Sequence, residues 1–254
     1  MPSLDAQLHS ALLLRSLAIQ GSWNYELMVG NGVGFCLEPA LRRLPGGIDG
    51  PAYREALARE AVYFNAHPYL ACLAIGALAR AELDQEPGSR IERFRTALCG
   101  PLGSVGDRVI WASWLPACSL LAILFFGFGW SALWVVSGFL ILYNLGHLWL
   151  RDWALRSGWQ YGLRVATALA HPVLQHGPRY MGRISAVVGG LALPLAVHRA
   201  IGGQPPLTAI PLGVAVVTPL IAVLLVRLQG RMEGWRFVMW MLAAFVLYSV
   251  LIDG

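Results

Sequence analysis

The groups able to do chemistry in this chain fall into a few short clusters. Tyr63-Phe64-Asn65-Ala66-His67-Pro68 places an amide, both donor and acceptor, two residues from an imidazole that can play either role. Pro68 disfavours the α conformation at His67, so the backbone is broken there and its peptide groups need partners. That combination suits a solute with paired hydroxyls and an apolar ring face. The same residues read equally well as a helix C-cap, with Asn65 satisfying its own helix. Trp23-Asn24-Tyr25-Glu26 sets an amide and a carboxylate between two aromatic rings, a pattern that alone also describes an interfacial aromatic anchor. Gly106-Asp107 ends a glycine-rich stretch from Gly100, where Asp107 could bind a polar solute or cap the helix that follows. His147, His171 and His176 have no metal-ligand spacing to a carboxylate and read as packing or surface histidines. There is no Ser-His-Asp or HExxH arrangement, and Gly30, Gly32 and Gly34 lack the strand and the Lys-Ser/Thr of a phosphate loop. Those glycines predict close helix packing instead. No catalytic residue, metal ligand or cofactor is expected.

The elements that hold these clusters are dictated by hydropathy. Val109 to Leu150 contains no charged side chain. A hydrocarbon layer of ~30 Å needs ~20 apolar residues as helix, so this run predicts two crossings, split near Phe128-Gly129-Trp130. Ile184–His198, Ala200–Val226 and Phe237–Ile252 are also uncharged, which gives five spans with the third and fifth short. Hydrophobic residues form 57% of the chain and charged ones 13%, about half the share of an average soluble domain. All nineteen basic residues are arginine, a bias that codon usage accounts for, and the net charge of +5 does not indicate nucleic acid. Arginines crowd residues 1–108, the presumed loop Arg151–Arg183 and the loop Arg227–Arg236; with five spans all three lie on one side. The positive-inside rule then puts the N-terminus in the cytoplasm and the C-terminus outside.

Residues 1–108 form an N-terminal amphipathic and re-entrant helical region ahead of a transmembrane region, 109–254. Leu4, Leu8 and Leu12 repeat at i+4, as in a helix lying on a membrane or a partner. Asp49-Gly50-Pro51 opens a second helix expected to end near Asn65–Pro68. The short apolar limb Tyr69–Ala79, followed by charged Arg80–Arg95, has the pattern of a re-entrant element. Asp5 and Arg15 interrupt the only apolar N-terminal stretch and no small-residue cleavage site follows, so no cleaved signal peptide is expected. Cys36, Cys72, Cys99 and Cys118 read as packed free thiols. The fold class is thus all-α, a polytopic helical membrane bundle.

Together the clusters resemble the IID component of the mannose–fructose–sorbose family of the bacterial phosphotransferase system. Four features carry the resemblance, in order and spacing: Trp23-Asn24-Tyr25-Glu26 ahead of Gly34-Phe35 and Pro39; Tyr63 to Pro68; Gly100-Pro101-Leu102-Gly103-Ser104-Val105-Gly106-Asp107 running to Trp111; and Arg151 to Gly162. The resemblance implies a multi-pass subunit of the bacterial cytoplasmic (inner) membrane, not catalytic alone, that works with a IIC subunit to bind and move a hexose. It implies IIA and IIB phosphocarriers as further partners, no cofactor and no nucleic acid. It also implies sugar contacts at Asn65, His67 and Asp107, supported by Asn24 and Glu26. Arg108 follows Asp107 where the family commonly has a small or apolar residue, so this cation could pair with the carboxylate and fill the pocket. A non-transporting membrane scaffold or sensor of the phosphorelay is the alternative.

Overall fold

The computed structural model describes residues 4–200 and Gly202. Among them the chain is helical, with no strand beyond isolated bridges. Helix α1 (Ala6–Ser16) is capped by Asp5, whose carboxylate accepts from the Leu8 N–H at 2.8 Å. Leu8 and Leu12 are buried, because α1 lies against α2 (Gly30–Leu41) and the later helix α8 (Ala132–Tyr161). The stripe expected to rest on a membrane or partner is therefore part of this protein's own core.

Helix α3 (Pro51–Glu60) has Gly50 at its N-cap and Pro51 in the first turn. It stops at Glu60, well before the expected end near Asn65–Pro68. The cause is Arg95 on α5 (Gly88–Leu98), almost fully buried. Its guanidinium donates to the carbonyls of Glu60 (2.9 Å), Val62 (2.6 Å) and Tyr63 (2.8 Å) and to the Glu60 carboxylate (3.1 Å). A continuing helix would have supplied those carbonyls with backbone N–H groups; here a side chain from 35 residues away does so. The released backbone then lies across α2, where a Cβ at Gly30 would collide with the Val62 carbonyl and one at Gly32 with that of Ile19. Close packing, expected of these glycines, is what they provide.

Helix α4 (Ala71–Leu83) is enclosed by the protein over nearly its whole length, and it continues past the apolar limb through Arg80 and Glu82 into the charged stretch. Glu82 is matched by Arg59 in a two-pronged pair at 3.0 and 2.8 Å. Helix α8 (Ala132–Tyr161) crosses α4 at very short range. Gly76 faces the Leu155 carbonyl and Gly158 faces that of Leu73, and neither position has room for a Cβ.

The uncharged run behaves as expected at its centre. Helix α7 (Leu115–Gly127) ends at Phe128-Gly129-Trp130, where Gly129 takes φ +96°, and α8 follows. At its start, however, α6 (Pro101–Val109), a π-helical segment Ile110–Trp114 and α7 follow one another without a break. The short α9 (Ala166–Leu169) precedes α10 (Pro172–Ala200), which passes through Arg179 and Arg183. The third span is thus longer than Ile184–His198, and the presumed loop Arg151–Arg183 is largely helix. Arg183 lies over the Tyr180 ring, and its charge had disguised the helix in the sequence. Three runs among the described residues are long and apolar enough to cross a membrane: Gly88–Gly127, Ala132–Arg164 and Thr167–Ala200. The spans expected over Ala200–Val226 and Phe237–Ile252, and the C-terminus, lie outside the described residues.

Arginine recurs at helix ends. Arg199 donates to the carbonyls of Phe126, in the last turn of α7, and of Trp130 (2.8 Å) beyond it, and Arg80 to those of Trp159 (2.9 Å) and Gln160 (2.8 Å) on α8. A buried helix terminus leaves acceptors that must find donors. A five-donor fork can serve two or three at once.

Candidate functional site

Three of the four motif segments meet at one place, and the fourth reaches it through its first residue, Arg151. In the first, Asn24 accepts from the backbone N–H groups of Glu26 (3.0 Å) and Leu27 (2.8 Å) and donates to the Ser22 carbonyl (3.4 Å). The amide thus closes a tight turn on itself. Met28 follows in the left-handed region at φ 52°. Trp23 and Tyr25 stack edge to face at 4.8 Å on the exposed rim of this turn. The second segment runs alongside: Val29 N–H donates to the Phe64 carbonyl (3.0 Å) and Phe64 N–H to that of Leu27 (3.2 Å). Phe64 is fully buried beneath, with the Arg95 guanidinium 4.9 Å above its ring.

The third segment joins at His67. Its backbone N–H reaches the Leu102 carbonyl (3.4 Å), and Gly106 lies flat against the root of its side chain, where a Cβ could not fit. Nδ1 accepts from the Tyr69 N–H (3.3 Å), while Nε2 is buried without a partner among the described residues. The ring meets Tyr69 at 5.0 Å and Trp111 at 5.6 Å, both edge-on. Burial, with the nearby Arg151 charge second, pushes the imidazole down to about 4, so His67 is neutral at pH 7. Its oriented donors and acceptors are fixed by the fold.

Around this junction the expected contact residues fall into two kinds. Asn65 and Asp107 are exposed and have no hydrogen-bond partner among the described residues. Neither is a helix cap. Helix α3 has ended at Glu60, and α6 has already begun at Pro101, so Asp107 sits in its last turn. Arg108 is exposed too and makes no ion pair with Asp107, so the suspected block of the carboxylate is not formed. Glu26 is likewise exposed. Asn24 differs: its oxygen is committed to the turn, which it shapes. His67 occupies the centre and is almost wholly enclosed.

The part that several residues play in the junction was not legible in the sequence, even for Arg151, which opens the fourth motif segment. Arg151, 3% exposed, donates to the carbonyls of Ser16 (2.5 Å) and Pro68 (3.4 Å) and lies 4.6 Å over the Tyr69 ring. Tyr69 in turn bonds the Tyr143 hydroxyl at 2.9 Å. Arg151 marks the end of the uncharged run in register with Asn144 and His147, a helical spacing that could have flagged it. Arg95 gave no such signal. On Glu60, which it holds, burial pushes the carboxyl up while the guanidinium pulls it back. A cavity of about 580 Å³ is lined by Trp114, Trp149, Trp153 and Met181 among others and includes none of Asn65, His67 or Asp107.

Long apolar helices, glycine-mediated crossings and arginine-capped ends define a polytopic α-helical membrane protein. Over residues 3–251 the chain matches the PTS system mannose/fructose/sorbose family IID component. It is 30% identical over 206 residues to the mannose-specific EIID component of Escherichia coli (strain K12), covering 74% of this chain and 70% of that one. It is 28% identical over 206 residues to the fructose permease IID component of Bacillus subtilis (strain 168), at 74% and 72% coverage. Among solved structures, a chain of the mannose transporter ManYZ in complex with microcin E492 superposes with TM-score 0.59 at 22% identity over 98% of both chains. A second, described as a membrane protein, superposes with TM-score 0.66 at 22% identity over 98% of both. The chain belongs to the mannose/fructose/sorbose IID family of the phosphotransferase system.

Proposed function

We propose that this chain is the IID subunit of a mannose-family permease that works with a IIC subunit to bind and move a hexose. The sugar receives its phosphate from a IIA/IIB relay, and this chain carries no phosphate itself. The observation that supports the reading most is the meeting of three motif segments around His67, with the Asn65 amide and Asp107 carboxylate left open beside it. A donor–acceptor amide and a carboxylate suit paired hydroxyls, while Trp111, half exposed against His67, suits the ring face. Asn65, His67 and Asp107 are the proposed sugar contacts, with Glu26 at the rim and Asn24 acting through the turn it closes. The chain resides in the bacterial cytoplasmic membrane with its N-terminus on the cytoplasmic side and its C-terminus outside, as the arginine distribution supports.

Calorimetry on the purified IIC–IID complex with hexoses tests the site. Removing one partner of a desolvated hydrogen bond costs about 1–3 kcal/mol, so Asn65→Ala and Asp107→Asn are each expected to weaken binding roughly 5- to 150-fold. Unchanged affinity in both variants would remove these residues from the site.

A further inference from the structure

The first half of α8 is a lipid-facing helix by most of its surface: Leu133, Trp134, Val136, Leu140, Ile141, Leu145 and Trp149 are all exposed. Yet one face is polar. Tyr143, Asn144 and His147 follow Leu140 at helical spacing and lead to Arg151 on the same side. Asn144 is exposed. Its Nδ2 donates to the Leu140 carbonyl (2.6 Å) and its Oδ1 meets His147 Nε2 (2.9 Å). His147 stacks on Tyr69 at 4.7 Å, and Nδ1 of His147 is buried without a partner among the described residues.

Depth makes this patch significant. At 1.5 Å per residue, Asn144 lies about 18 Å along α8 from Ala132, near the middle of a hydrocarbon layer of ~30 Å. An exposed amide at that depth cannot rest on lipid at low cost. The patch is also continuous with the junction through Tyr69, which touches His67, Tyr143 and His147. We infer that the Leu140–His147 face of α8 is covered by a membrane helix of the IIC subunit that offers a hydrogen-bonding side chain to Asn144. The inference rests on the proposed pairing with IIC and assigns the surface through which that subunit reaches the frame of the His67 junction. Continuity with the junction, where the proposed sugar contacts gather, favours IIC over a second copy of this chain.

A photo-crosslinking amino acid at Leu140 on the polar face, or at Leu145 on the lipid side, tests this in membranes containing the full chain co-expressed with IIC. Crosslinking to IIC is expected from position 140 and not from 145. In parallel, Asn144→Leu is expected to lower the IIC recovered per IID about 3- to 30-fold, the range for one interhelical hydrogen bond in a membrane. Asn144→Gln is expected to recover most of that loss. A complex that forms but crosslinks to IIC from 145 rather than 140 overturns the surface and leaves the pairing standing. Crosslinks from 140 to a second IID chain, or within the chain to residues 203–254, also overturn it. If IIC fails to co-purify with the unaltered chain, the proposed pairing itself falls.

Discussion

Two polar regions of this protein, a few residues apart in sequence, are built in opposite ways. In the first, Glu60, Glu82, Arg59 and Arg95 tie α3, α4 and α5 together, buried or nearly so, and almost every donor and acceptor finds a partner within the cluster. Only one oxygen of Glu60 is left over. In the second, Asn65 and Asp107 stand on backbone just as firmly held, but their side chains are unpaired among the described residues and open. The closed cluster fixes the geometry that the open pair displays. Buried charge that is fully matched contributes shape, whereas polar groups held rigidly and left unmatched are available to something else.

The comparison breaks most severely if the frame itself is disturbed. Gly158→Val would drive side-chain carbons into the Leu73 carbonyl and part α4 from α8. We expect a loss above about 4 kcal/mol, read as no folded protein in detergent size-exclusion. Arg95→Ala would strand the Glu60 carboxylate and three carbonyls, with an expected cost of about 3–5 kcal/mol in thermal unfolding. Arg95→Lys is expected to recover only part of it, because one ammonium cannot span the same acceptors.

Acid sharpens the contrast by a smaller amount. His67 titrates at about 4 in the folded protein, against about 6.5 in an unfolded chain. As pH falls from about 6.5 to 4 the unfolded state takes up the proton first, so stability declines across that window by up to about 3 kcal/mol. Above it the effect is absent. The slope is expected to flatten in His67→Gln, as measured by melting temperature against pH relative to the unaltered protein. Smallest of all is the effect of Asn65→Ala and Asp107→Asn on stability, expected to stay within about 0.5 kcal/mol, since neither holds a partner in the fold. A clear drop in melting temperature for both would mean that the open pair belongs to the frame after all.

Much of the architecture was legible in the residues because it depends on local hydropathy. The break at Phe128-Gly129-Trp130 is an example, as glycine there supplies a backbone angle that other residues rarely adopt. What failed was whatever depends on a distant side chain. The end of α3 is set by Arg95, and no periodicity near Glu60 announces it. The start of α10 was hidden by Arg179 and Arg183, which read as loop although helix can carry them. The stripe of Leu8 and Leu12 was visible, but its partner was not. Likewise the motif residues could be picked out from their types, while their meeting around His67 needed the short approach at Gly106 and the pairing of Val29 with Phe64.

The segment Ile110–Trp114 winds more loosely than the helices on either side of it. Removing a single residue there would restore uniform winding and swing everything before it by about 100° relative to everything after. His67, Gly106 and Asp107 would then turn together, out of line with Tyr143 and His147 on α8, although no motif residue had been changed. Chain length across this short stretch thus acts as a lock on the site's orientation. Natural insertions and deletions among relatives are therefore expected to fall elsewhere, and an engineered loop graft that alters the count by one is expected to abolish sugar binding in a protein that still folds and inserts.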